Sequence, residues 1–378
     1  MSKKSTLIVS LVIIAAFSYG ISVGHYKVFP YDLIESTKSL VIKPQERDAA
    51  RPQIYQDMAT VKDLIRIKNS DDIIQKRNKL IDYLWLGQGF PHDKMPKVED
   101  NIKDSDFSDL KNLKQINSIT TEMEYGMNSI SYLFLPEKSN NKLVIFHQGH
   151  EGQSFAQDKR IIQFFLEKNY SVLIFAMVTY GMNNEPVIDL PEFGKLRLNS
   201  HNHFKFIESS TFHPMKYFIE PVVVALNYVD LKFDFDSYYM IGLSGGGWTT
   251  VVYSAIDPRI TQSYSIAGSF PIWLRADSRN FGDYEQNLPE FYRIANYEEL
   301  YVMSSYGENR HLVQFFNKFD PCCFSGDLYE QFPYENTIKE KLNDLQKGRF
   351  DVYVDDTIHE HRISDITLTK IADMMENQ

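Results

Sequence analysis

A chain of 378 residues with a net charge of −10 can bury a sizeable core, and no dense Lys/Arg stripe appears in it, which argues against a nucleic-acid binder. Its only two cysteines, Cys322 and Cys323, are adjacent; that excludes a disulfide-rich scaffold and gives no metal-finger spacing. Neighbouring cysteines rarely bridge each other because the geometry is strained, so two small, semi-buried residues beside the active site are expected there.

In chain order, Lys3 and Lys4 precede an apolar run from Leu7 to about Val23, broken only by small or hydroxyl residues and Tyr19. Its length lies between that of a signal-peptide core and that of a membrane-spanning helix. The positive charge ahead of it predicts an amino terminus in the cytoplasm and everything later on the far side. Ala16-Phe17-Ser18 is a passable cleavage site, but there is no clean Ala-x-Ala. Residues 1–24 are therefore expected to be an uncleaved signal-anchor holding an extracytoplasmic domain at the membrane, with a cleaved signal peptide and secretion as the alternative. Residues 25–122 are polar, with helical spacing in Asp57–Ile67 and Asp71–Leu86, and predict a helical N-terminal extension without chemistry.

Residues 123–378 carry the expected catalytic domain. Ser129–Leu135, Lys142–Phe146, Ser171–Val178, Thr261–Ala267, Leu300–Ser305, Leu312–Phe316 and Arg349–Val354 read as strands. Asp158–Glu167 and Pro221–Val229 read as helices. This alternation predicts a mainly parallel α/β sheet flanked by helices, with ligands at the C-terminal ends of its strands.

The stretch Tyr238-Tyr239-Met240-Ile241-Gly242-Leu243-Ser244-Gly245-Gly246-Gly247-Trp248 runs from a buried strand through a glycine-framed serine into a helix. That is the G-x-S-x-G nucleophile elbow in its strand-turn-helix context. Side chains two residues before or after the serine would collide with the neighbouring strand and helix, hence the glycines. A P-loop is excluded, because Gly247-Trp248-Thr249 offers no Lys-Ser or Lys-Thr pair.

A serine hydroxyl attacks an acyl carbon only with partners. Straight after the strand Leu143-Val144-Ile145-Phe146, the loop His147-Gln148-Gly149-His150-Glu151-Gly152 is placed to donate backbone N–H groups to an oxyanion. The donors are expected to be Gly245 and either Gly149 or His150. Metal binding through His147, His150 and Glu151 lacks the His-Glu-x-x-His register, so no metal is expected. After the last strand, Asp355-Asp356-Thr357-Ile358-His359-Glu360-His361-Arg362-Ile363-Ser364 holds two candidate bases. His361, leading through Ile363 and Ser364 into a helix, is preferred and His359 is the alternative. The acid is expected at Asp320, just past a strand and followed by Pro321, with Asp327 next and Asp283 and Asp355 weaker.

The order Ser244, Asp320, His361, with the elbow Gly242-Leu243-Ser244-Gly245-Gly246 and the loop His147-Gln148-Gly149-His150, resembles the α/β-hydrolase superfamily. The segment from Gly245 through Asp257-Pro258-Arg259-Ile260 to Ala267-Gly268-Ser269 resembles bacterial esterases and dienelactone-hydrolase-like members. The likeness covers residues 123–378, and His-Gln-Gly stands where His-Gly-Gly is more familiar. It implies a serine hydrolase that cleaves a carboxylic ester through an acyl-enzyme, with no cofactor. The insertion from about Gly181 to Lys216, with Asn183, Asn184, His201, Asn202, His203 and His213, suggests a hydroxylated substrate such as an acylated sugar. A peptidase or amidase of the same fold, and a catalytically inactive membrane-anchored binding protein, are the alternatives.

Overall fold

The computed structural model describes residues 16–20, 22–23, 61–150, 152–275, 278–326 and 332–377. The chain divides into two units, Met1–Gln53 and Ile54–Gln378. In the first, residues 16–20 and 22–23 are helical, and most of the apolar run expected to be an anchor lies outside the described residues. Among the described residues no helix is long and apolar enough to cross a membrane.

The second unit is built on one nine-stranded sheet. Its strands are β1 (Lys97–Glu99), β2 (Leu113–Glu122), β3 (Asn128–Pro136), β4 (Lys142–His147), β5 (Ser171–Phe175), β8 (Ser237–Leu243), β9 (Ile260–Ile266), β10 (His311–Asn317) and β11 (Arg349–Asp355). They lie in the order β1-β2-β3-β5-β4-β8-β9-β10-β11. From β5 through β4 to β11 every pairing is parallel, and β1, β2 and β3 add on antiparallel. The central parallel strands β4, β5 and β10 are buried on both faces and so read as near-continuous apolar runs. Two further strands, β6 (Val187–Leu190) and β7 (Gly194–Arg197), form a separate hairpin inside the 181–216 insertion.

Among the described residues the longer helices are α1 (Ser70–Trp85), α2 (Lys159–Glu167), α3 (Glu220–Lys232), α4 (Gly245–Ile256), α5 (Tyr297–Ser305), α6 (Glu335–Asp344) and α7 (Asp365–Glu376). Two expectations need correction here. Leu300–Ser305 is helical, within α5, and not a strand; all nine residues of that helix are buried, so its sequence lacks the polar stripe that marks a surface helix. Residues 97–99 and 113–122 are not part of a helical extension but edge strands of the main sheet, whose mixed polar composition follows from exposing one face.

α1 matches its expected span. A capping box between Asn69 and Asp72 starts it, and Leu86 in left-handed conformation (φ 50°) ends it. Its apolar face buries Ile73, Leu80, Leu84 and Trp85. A polar knot ties its C-terminal end to α3: the buried Glu220 accepts from Trp85 Nε1 at 2.7 Å, from Lys94 Nζ, and lies 3.6 Å from Lys216 Nζ. Removing the carboxylate would leave the Lys94 ammonium and the Trp85 indole N–H without their acceptor, while Lys216 keeps Glu124. Glu220→Ala is therefore expected to lower the unfolding free energy by about 3 kcal/mol in urea denaturation, while Lys94→Met costs less than half of that.

Candidate active site

Ser244 sits between β8 and α4 with φ 56° and ψ −123°, a conformation that costs a non-glycine residue on the order of 1–3 kcal/mol. The surroundings hold it there. Its N–H donates to the Ile266 carbonyl at 2.8 Å, and its own carbonyl accepts from Trp248 N at 3.1 Å. Crowding at the flanking glycines leaves the turn no other path. A Cβ on Gly246 would lie 2.1 Å from the His147 carbonyl oxygen, and one on Gly242 would lie 2.1 Å from the Gly246 carbonyl oxygen. Both obstacles are backbone, so neither can swing away.

The loop after β4 packs on this turn. A Cβ on Gly149 would lie 2.8 Å from Ser244 Cβ and 3.4 Å from Ser244 Oγ, and one on Gly245 would lie 2.5 Å from the His150 ring. Gly149, His150 and Gly245 therefore surround the serine. His147 does not join them: it is buried, its Nδ1–H donates to the Gln148 carbonyl at 2.9 Å, and burial pushes its pKa down to about 4. Gln148 fixes the loop from below, donating to the Ser154 carbonyl at 3.0 Å and to Asp158 at 2.6 Å. Glu151 lies outside the described residues.

Asp320 and His361 meet above the ends of β10 and β11, with Asp320 Oδ2 and His361 Nδ1 2.8 Å apart and the carboxylate fully buried. The other carboxylate oxygen accepts from the backbone N–H of Cys322 at 2.9 Å. Asn317, the last residue of β10, was not legible as part of the site. Its side-chain amide lies 3.4 Å from Asp320 Oδ2 and donates to the carbonyls of Glu360 at 3.0 Å and Arg362 at 2.9 Å. It thereby pins both neighbours of His361 to the strand that carries the acid. The Cys323 thiol lies against the Ser244 hydroxyl. Cys322, Cys323 and His361 bring their side-chain heteroatoms within 4.8 Å of one another. The two thiol sulfurs are 3.0 Å apart, well beyond a disulfide bond length. The Cys322 thiol and burial together push Cys323 far above the usual thiol range, which keeps it protonated beside the serine.

The other candidates are elsewhere. His359 is exposed and stacks on Phe319, with ring centroids 4.5 Å apart. Asp355 accepts from Thr357, Ser364 and Thr367, and so organises the loop and the start of α7. Asp327 lies outside the described residues. Asp283 lies beside His150, 3.5 Å from its Nε2, together with two residues not grouped with it in the sequence, His201 and Glu285. His201 donates from Nε2 to the Val178 carbonyl at 2.9 Å, and its Nδ1 is 3.1 Å from Glu285 Oε2 and 3.2 Å from His150 Nε2. Burial disfavours a charged His201, but the adjacent Glu285 carboxylate outweighs it and holds the imidazolium above its ordinary pKa. Much of the remaining polarity of the insertion is architectural. Asn183 and Asn184 hold the start of β3, and His213 caps the turn at Pro214–Phe218.

The strain at the elbow is separable from its chemistry. Ser244→Gly is expected to raise the unfolding free energy by about 1 kcal/mol, because glycine adopts φ 56° without penalty. Gly246→Ala is expected to yield no soluble folded protein, or one destabilised by more than about 4 kcal/mol. Thermal unfolding of the purified variants checks both.

No family model matches the chain, and no curated protein sequence does. Solved structures do. Acetyl xylan esterase 1 from Thermoanaerobacterium sp. JW/SL YS485 superposes over 84% of this chain and 97% of its own, with 14% identity and a TM-score of 0.51. The acetyl xylan esterase from Paenibacillus sp. R4 covers 84% and 98% at 13% identity and a TM-score of 0.50. The methylesterase BT1017 gives a TM-score of 0.52 at 14% identity over 81% of this chain and 62% of its own. With its doubly flanked parallel sheet, its strained serine turn after β8 and this likeness, the chain has the α/β-hydrolase fold.

Proposed function

We propose that the protein is a serine hydrolase that cleaves carboxylic esters through an acyl-enzyme. The observation that supports it best is the 2.8 Å contact between buried Asp320 and His361 on the side of the fold where Ser244 projects from its turn. In this reading His361 takes the Ser244 proton on Nε2 as the hydroxyl attacks the acyl carbon. Asp320, accepting from Nδ1–H, keeps the ring in the right tautomer and favours the imidazolium that forms. The tetrahedral oxyanion is met by the Gly245 N–H and by a second backbone donor from Gly149 or His150. The imidazolium then returns the proton to the departing alcohol, and a water activated by the same ring hydrolyses the acyl-enzyme.

The substrate class we infer is an acylated saccharide, since proteins with this fold over most of their length include acetyl xylan esterases. The basic, apolar amino-terminal segment supports an extracytoplasmic catalytic unit, held at the membrane by residues 1–24 or, alternatively, released after cleavage.

A fluorophosphonate probe is expected to label the wild type and not Ser244→Ala. With a soluble aryl acetate, Ser244→Ala and His361→Ala should each lose on the order of 10⁴–10⁶ in kcat, and Asp320→Asn about 10⁴. His359→Ala should retain wild-type kcat within a few-fold. Labelling that survives in Ser244→Ala, or a loss at His359 equal to that at His361, would overturn the assignment.

A further inference from the structure

We propose that His150, His201, Asp283 and Glu285 form a binding site for one divalent transition-metal cation of the zinc class, set against the nucleophile turn. The four residues come from three separate segments: the loop after β4, the short 3-10 turn His201–Phe206 inside the insertion, and the turn around Tyr284–Gln286. Their electron-rich atoms nevertheless converge. From His150 Nε2 it is 3.2 Å to His201 Nδ1, 3.5 Å to Asp283 Oδ2 and 3.6 Å to Glu285 Oε1. From His201 Nδ1 it is 3.1 Å to Glu285 Oε2 and 4.0 Å to Asp283 Oδ2.

Those separations are what a tetrahedral ion imposes. Ligands held at about 2.0–2.1 Å from a tetrahedral zinc stand about 3.3 Å from one another, the edge of the tetrahedron. The distances around His150 bracket that length, and the half-exposed Asp283, 4.0 Å from His201, would have to close in.

Two buried features point the same way. His201 spends its Nε2–H on the Val178 carbonyl, which turns Nδ1 toward the carboxylates. A ligating histidine is oriented by just such an outer hydrogen bond from its second ring nitrogen. Glu285 is completely buried, and among the described residues its Oε1 finds no hydrogen-bond partner; His150 Nε2 at 3.6 Å is too far to supply one. A buried carboxylate oxygen left without a donor is costly, and a cation placed between it and the two imidazoles would satisfy it. Two imidazole nitrogens and two carboxylate oxygens suit zinc and its neighbours over magnesium or calcium, which prefer all-oxygen shells.

The ion would act as a positioning element. It would join the loop after β4 to the insertion and to the Tyr284 turn, and so fix the His150 ring that packs on Gly245 beside Ser244. This assignment stands on the cluster alone and holds whether or not Ser244 is acylated.

Purified full-length protein, stripped with dipicolinate, would be titrated with Zn²⁺ against a chromophoric chelator and with Co²⁺ by absorption spectroscopy. One Zn²⁺ per chain with sub-micromolar Kd is expected, with visible Co²⁺ bands of tetrahedral intensity and no sulfur-to-cobalt charge transfer. His201→Ala and Glu285→Gln should each weaken binding by at least about 100-fold, and Asp283→Asn by about 10-fold or more. His203→Ala, an exposed histidine in the same insertion, should bind as the wild type. The half-exposed Asp283 and the control keep the test decisive if a buried variant fails to fold. Absence of stoichiometric binding, affinity indifferent to these substitutions, or a thiolate charge-transfer band that would place the ion at Cys322 and Cys323, would each overturn the proposal.

Discussion

Where α4 leaves β8, backbone carbonyls occupy the space that side chains would need. The His147 oxygen stands where a Cβ of Gly246 would be, and the Gly246 oxygen stands where one of Gly242 would be. This contact couples three pieces of chain that share no local sequence: the end of β4, the end of β8 and the first turn of α4. Once they are pressed together, Ser244 has no relaxed conformation available, and the loop that carries Gly149 and His150 is brought against it. The strained serine and the glycine loop packed against it are thus two results of one packing decision. Folding supplies the strain from the burial of the parallel strands on either side.

The Asp320–His361 pair depends on a second, quieter constraint. β10 and β11 pair in parallel with Asn317 opposite Asp355, so the loops leaving the two strands rise side by side. Asn317 then bonds to both the Asp320 side and the carbonyls flanking His361, while Asp355 caps the start of α7 through Ser364 and Thr367. The imidazole is held from its own loop, from the neighbouring strand and from the helix that follows. That kind of outer support holds the Asp320–His361 pair within a narrow range of distance and angle.

What could be read from the chain follows the range of the interactions. The elbow was legible because its reason is local and steric, and the fold class because buried parallel strands and amphipathic helices leave periodic marks. Asp320 and His361 could be placed in their loops by chain order and by the strands before them. Asn317, Cys323 and the grouping of His201 with Glu285 could not, since each acquires its meaning from a partner 43 to 84 residues away or across the sheet. The misread segments fail for a related reason. A short, mostly apolar run such as Leu300–Ser305 carries no period to tell helix from strand, and the half-polar β2 looks like a surface segment until β3 pairs with it. The insertion misleads in the other direction: Asn183, Asn184 and His213 look like ligands for a substrate and turn out to be hydrogen-bonding struts.

The division of labour between strands and insertions bears on how such a protein changes over generations. The residues that hold Ser244, Asp320 and His361 rise from the ends of β4, β8, β10 and β11 and are braced by the sheet. The insertion, with its own hairpin, touches this apparatus chiefly through His201 against His150. Within the insertion, Leu198, Phe204 and Met215 are buried in the main core, whereas the β6–β7 hairpin is largely exposed. Substitutions in that hairpin can therefore accumulate with little penalty to the core, and the chain can vary its outer rim while the sheet that braces Ser244, Asp320 and His361 stays constant.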